Sequence, residues 1–211
     1  MKKLIAISMI LALVLGLTAC GMSRPVTKEE VADIDLGNVA DGVYENPHFG
    51  FGCSLDEDWN ITPDSDILTT NEWEAEADLR EQMLASLAKP GYFYEMMAEK
   101  ADLSATVSVC VENVSIMEDP DCTPEDYVRS AVVTAREALS TIGMEGALVE
   151  QVERDFAGGH CFGYCMSFGR DDEAMYQKSL YVHKGIYAAV ITVSCVGEDI
   201  TDALLDMFYE V

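Results

Sequence analysis

Positive charge is scarce. Thirteen lysines and arginines stand against 38 aspartates and glutamates in 211 residues, a formal net charge of −25. That imbalance excludes nucleic acid as a partner, because phosphates would be repelled. It disfavours an anionic lipid surface for the same reason. Histidine is rarer still, with only His48, His160 and His183 available as imidazole bases. The Gly-x-Ser-x-Gly elbow of a serine hydrolase is missing. So is Cys-x-x-Cys, which removes a thioredoxin-like redox site. Gly158-Gly159 lacks the lysine and helix that a phosphate loop requires. Internal repeats and low-complexity blocks are also absent. Against these gaps stands a hydrophobic fraction of 49%, enough for a sizeable core and too much for wholesale disorder. The length suits one ordinary domain plus a tail.

The clearest signal is N-terminal. Lys2 and Lys3 precede an uncharged apolar run from Leu4 to Leu17. The run is shorter than the roughly 20 residues of a membrane span and has the layout of a secretory signal peptide. It ends Leu17-Thr18-Ala19-Cys20-Gly21, which resembles the lipobox of bacterial lipoproteins: an aliphatic residue, two small residues, then cysteine. The resemblance implies a diacylglyceryl group on Cys20 and cleavage just before it, so Cys20 is the expected lipidation site. Residues 1–19 carry two lysines and no acid. Their removal leaves 192 residues and sharpens the charge to −27. Residues 20–42, with Pro25 and no sustained apolar period, read as lipidated cysteine and tether. A short helix is expected over 28–34.

Six cysteines remain: Cys53, Cys110, Cys122, Cys161, Cys165 and Cys195. An even number outside the cytoplasm invites disulfides, and sequence cannot choose among the connectivities. All but Cys122 fall in strand-like segments, where a cysteine serves as a small hydrophobe. Cys161 and Cys165 share a face but stand about 13 Å apart in a strand. A disulfide needs Cα atoms within about 7 Å, so these two cannot pair with each other. His160 points to the opposite face from Cys161, so the His-Cys-x-x-x-Cys cluster fails as a metal site. The acidic run from Asp119 to Asp126 has Pro124 where a calcium loop needs glycine and Ser130 where it needs an acid. No metal and no cofactor is expected.

Alternation predicts a strand over 49–55, with Phe51, Cys53 and Leu55 on one face, then a polar turn ending at Trp59. One long helix is expected over 67–88, stopped by Pro90-Gly91. Strands follow over 92–97 and 106–115. The aromatic and methionine-rich 92–97 segment reads as core rather than as an adaptable ligand surface. Thr123-Pro124-Glu125-Asp126 is a helix start with a threonine cap, a proline and first-turn acids. Its apolar period runs Val128, Ala131, Val132, Ala135, Leu139, Ile142 up to Gly143. Four strands then form a meander over 147–155, 160–168, 175–183 and 186–196, turning at Gly158-Gly159, Asp171-Asp172 and Lys184-Gly185. The 188–193 stretch is apolar on both faces and suits a covered central strand. An amphipathic helix is expected from Asp199 to the end. The fold class is α+β, an antiparallel sheet flanked by helices.

The segment Tyr44-Glu45-Asn46-Pro47-His48-Phe49-Gly50-Phe51-Gly52-Cys53-Ser54-Leu55, with Trp59 behind it, resembles the opening of PsbP-like domains. In that family a Tyr-x-Asn start leads into an aromatic-Gly-Phe strand, a tight turn and tryptophan. The resemblance covers 43–211 and implies an α/β/α sandwich in a non-enzymatic binding or scaffold protein. Asp56-Glu57-Asp58 replaces the family's usual proline before tryptophan, and no functional residue carries over. The opening is also similar to that of lipoproteins from gut-type Firmicutes. The expected function is a membrane-anchored, extracytoplasmic lipoprotein acting as a binding or scaffold module, without catalytic residues. Two alternatives stay open: an enzyme whose base is His160 or His183, and an acidic capture protein for cations or basic peptides.

Overall fold

The computed structural model describes residues 31, 34–89, 91–114, 122–144, 146–169 and 171–211. Cys20, the signal peptide, most of the tether, Pro90 and the Asp119-Pro120-Asp121 turn lie outside the described residues. The strands are β1 (Asn38–Ala40), β2 (Val43–Asn46), β3 (Phe51–Ser54), β4 (Trp59–Ile61), β5 (Gly91–Lys100), β6 (Ala105–Asn113), β7 (Leu148–Phe156), β8 (Gly159–Phe168), β9 (Met175–Lys184), β10 (Tyr187–Val196) and β11 (Phe208–Glu210). The helices are α1 (Asp64–Thr70), α2 (Leu79–Leu87), α3 (Pro124–Thr141) and α4 (Thr201–Leu205).

The fold is α+β and antiparallel, and it is built mainly of strands. A seven-stranded sheet runs β4-β5-β6-β10-β9-β8-β7, and a four-stranded sheet runs β1-β2-β3-β11. β10 lies between β6 and β9. Its Ala188, Ala189, Val190, Ile191 and Val193 are buried on both faces, as the unbroken apolar run requires. One core joins Phe93, Val107, Val109, Leu180 and Ile191 of the large sheet to Tyr44, Phe51 and Cys53 of the small sheet and to Ile67, Leu87 and Leu204 of α1, α2 and α4. A second core lies under α3, where Val128, Val132, Ala135 and Leu139 meet Val149, Tyr164, Met166, Tyr181 and Val190. The sequence suggests a sandwich with helices on both faces. In the structure a second sheet forms much of one layer instead, alongside three short helices.

α3 follows its sequence signals closely. Thr123 accepts from the Asp126 amide, and the Asp126 carboxylate reaches back to the Thr123 amide in a full capping box. Gly143, at φ +81°, follows the helix end. The meander also matches, with its two tight hairpin turns each shifted by one residue. Ala157 and Gly158 make the β7–β8 turn at φ +48° and +74°, and Lys184 pairs with Tyr187 across the next.

Three expectations are corrected. The long helix over 67–88 is two short helices, interrupted where Glu72 takes φ +60° and the Glu74–Glu76 stretch stays acidic and exposed. The C-terminal helix stops at Leu205, and Phe208–Glu210 instead pairs with β3, placing Phe208 against Phe51 and Phe156. The tether ends earlier than residue 42. Ile34 and Leu36 are buried in the core, and β1 pairs with β2.

Candidate functional site

Two carboxylates are buried, and each has a distinct local cause. Along β5 the pairing with β6 slips between Tyr94 and Met96, leaving Glu95 as a bulge residue. A bulge places two successive side chains on one face, so Glu95 and Met96 both enter the main core. The Glu95 carboxylate accepts from the Gly37 amide at 2.8 Å, from Asn46 Nδ2 at 2.7 Å and from the Tyr44 hydroxyl. Asn46 Oδ1 in turn accepts from the Phe49 amide at 3.0 Å. Burial raises the Glu95 pKa against the lowering effect of these donors, and burial also raises the Tyr44 phenol. A Cβ on Gly37 would lie 2.5 Å from the Tyr44 ring, so only glycine brings its amide this close. The Tyr-x-Asn opening thus serves to hold an internal carboxylate.

The second carboxylate lies under the start of α3. Cross-strand pairing sets Tyr92, Glu112, Ala188 and His183 in one row across β5, β6, β10 and β9. Small Ala188 separates Glu112 from His183. Tyr127, in the first turn of α3, donates its hydroxyl to Glu112 Oε2 at 2.8 Å. Its ring meets the rings of His183 and Tyr181 edge-on at 5.9 and 5.7 Å. Desolvation moves the Glu112 carboxyl up to about 7 and lowers His183. His183 Nε2 is buried with no hydrogen-bond partner among the described residues. Tyr127 thus bridges a buried carboxyl and an imidazole two strands apart, its hydroxyl on Glu112 and its ring against His183.

The three histidines do not converge. His48 packs against Phe49 and Tyr187. His160 is exposed at the β7–β8 hairpin, with Nδ1 3.0 Å from Asp155 Oδ1 and Nε2 3.6 Å from Glu153 Oε2. Those carboxylates raise its pKa, the Asp155 hydrogen bond most strongly. Among the described residues no group of three histidine, cysteine or acidic side chains has metal-binding geometry. Cys53, Cys110, Cys161, Cys165 and Cys195 form no disulfide. Burial pushes the Cys53 thiol to about 12 and the Cys161 thiol to about 11, so both act as small hydrophobes.

Sequence reasoning singled out His160 and His183 and missed Glu95, Glu112 and Tyr127. An acid inside a strand otherwise rich in valine or aromatics was the available signal for both glutamates.

No protein-family model matches the chain, and no curated protein does. Solved structures give distant likenesses. One is a Bacteroides thetaiotaomicron protein, at 10% identity and TM-score 0.35 over 76% of this chain; the match spans 45% of that protein's length. Another is a Pseudomonas aeruginosa protein of unknown function described as a putative regulator, at 12% identity and TM-score 0.30, covering 56% of this chain and 72% of the other. A third is LpqN, involved in cell envelope biogenesis of Mycobacterium tuberculosis, at 10% identity and TM-score 0.35, covering 74% and 76%. Likenesses this slight assign neither family nor activity.

Proposed function

We propose that the chain is a lipoprotein held at the extracytoplasmic face of the cell membrane through Cys20, and that its α+β domain is a non-catalytic binding or scaffold module. The observation that carries this reading is the lipobox Leu17-Thr18-Ala19-Cys20 behind a dilysine start and an uncharged apolar run. Acylation supplies what the acidic surface lacks, since each buried methylene contributes about 0.8 kcal/mol and two or more chains anchor stably. The PsbP-like resemblance of the Tyr44–Trp59 segment belongs to this reading. It supports a scaffold role, because Tyr44 and Asn46 are spent on Glu95. Membrane fractionation tests the proposal. The wild-type chain should stay with alkali-washed membranes and Cys20→Ala should move to the soluble fraction; an unchanged distribution contradicts it.

A second reading, catalysis at Glu112, Tyr127 and His183, is favoured by one observation: Tyr127 donates to the buried Glu112 carboxylate and packs its ring on His183, whose Nε2 has no hydrogen-bond partner among the described residues. It requires these groups to be reachable from solvent. Carbethoxylation of His183 in the folded protein tests this, and an unreactive His183 contradicts catalysis there.

A further inference from the structure

β7 is nine residues long and forms one edge of the large sheet. Long free edges invite pairing by another chain. The two-residue turn at Ala157-Gly158 makes Phe156 and Gly159 partners, and the pair flanking such a turn exchanges both backbone hydrogen bonds. Counting back by twos, Arg154, Val152, Glu150 and Leu148 turn their backbone groups toward β8. Asp155, Glu153, Gln151 and Val149 turn theirs outward. An independent contact agrees. The Val149 carbonyl accepts from Arg136 Nε at 3.1 Å and Nη2 at 2.6 Å, from a side chain on α3. Arg136 therefore closes one end of the edge and, among the described residues, leaves Gln151 to Asp155 open.

The side chains along this edge are biased. Glu150, Gln151, Glu153 and Asp155 are exposed. Arg154 is the strand's only cation, and it is drawn to Asp202 at 2.9 Å and to Asp206 on the other side of the strand. It does not neutralise the edge; His160 on β8, 3.0 Å from Asp155 and 3.6 Å from Glu153, offsets these two acids in part. Beyond the Arg136 end, Leu139, Met144 and Leu148 line a shallow groove of about 330 Å³, and Leu148 is 52% exposed.

We propose that the outward edge of β7 over residues 151–155 docks an extended basic peptide segment, which adds as an eighth strand. Its backbone pairs with the outward amides and carbonyls of Gln151, Glu153 and Asp155. Lysines or arginines on one face of the added strand oppose Glu153 and Asp155, and one apolar side chain enters the groove at Leu148. Main-chain pairing supplies affinity and the flanking side chains supply selectivity. Charge decides between occupants. A second copy would bring the same acids face to face on a chain already at −25, whereas a basic strand relieves that repulsion. The proposal rests on the binding-module reading and names its partner class.

The test uses the full chain in detergent and a fluorescent nine-residue peptide of alternating lysine and valine. Saturable binding that weakens with added salt is expected, with the largest amide shifts at Gln151 and Glu153. Gln151→Pro removes only an outward N–H and leaves the ladder to β8 intact. It should lower affinity about tenfold or more. The paired change Glu153→Gln and Asp155→Asn keeps every backbone group and should also weaken binding. Three results would overturn the proposal: wild-type affinity in these variants, no binding at low salt, or a dimer lost in Gln151→Pro without peptide shifts. Saturable binding with shifts on another face would overturn the edge while leaving the binding-module reading standing.

Discussion

Glu112 and Glu95 carry the molecule's least ordinary residue-scale energetics. Among the described residues Glu112 accepts from Tyr127, and its pKa is raised from 4.5 to about 7 by burial. A carboxyl whose folded pKa is raised stabilises the native state fully below its unfolded pKa. Between pH 4.5 and about 7 the unfolded chain loses its proton while the folded chain keeps it, so stability falls with rising pH. Above about 7 the contribution is gone. The shift corresponds to about 3 kcal/mol. Urea denaturation across this window should show the decline in wild type and a flatter profile in Glu112→Gln, which still accepts from Tyr127. Equal slopes would count against the assignment. Glu95 differs because three donors converge on it. Glu95→Gln turns an amide donor toward groups that are themselves donors, and should destabilise by about 2–4 kcal/mol in the same assay. Gly37→Ala should be comparably harmful, since its Cβ would overlap Tyr44. A Gly37→Ala protein as stable as wild type would show that the amide contact is dispensable.

At the scale of elements, legibility in the sequence tracked how local the determining interactions are. α3 was readable because its cap, proline, first-turn acids and apolar period all lie within twenty residues. Thr123→Ala should cost about 1 kcal/mol, read as a lower denaturation midpoint. The four-strand meander was readable because short turns fix its register. β1, β4 and β11 were not. Each is three residues long, too short for alternation to register; β4 and β11 exist through distant partners, whereas β1 is a short hairpin arm against β2. β11 shows the conflict plainly. Ile200, Ala203, Leu204, Met207 and Phe208 keep a helical period, yet Phe208 gains more by joining Phe51 and Phe156 and closing the small sheet. Phe208→Ala, at a partly buried ring, should therefore destabilise by about 2–3 kcal/mol if that ring cluster holds the C-terminus in place. A loss below about 1 kcal/mol would indicate that β11 is only loosely docked. The candidate site was less legible than the fold. His183 was visible as a residue, but its setting depends on a row across four strands and on a tyrosine from α3 that no local pattern announces.

At the scale of the whole molecule, charge and attachment belong together. A chain at −25 does not seek an anionic surface, and among the described residues no helix is long and apolar enough to cross a membrane. Ile34 and Leu36 are buried in the core. The proposed lipidation of Cys20 would hold this acidic domain at the membrane. This arrangement depends on the acyl group. The most direct measurement is the mass of the N-terminal peptide from protein extracted from the host membrane. The expected product is a chain that starts at Cys20 and carries a thioether-linked diacylglyceryl group. An N-terminus at Met1, or a Cys20 without acyl mass, would contradict it.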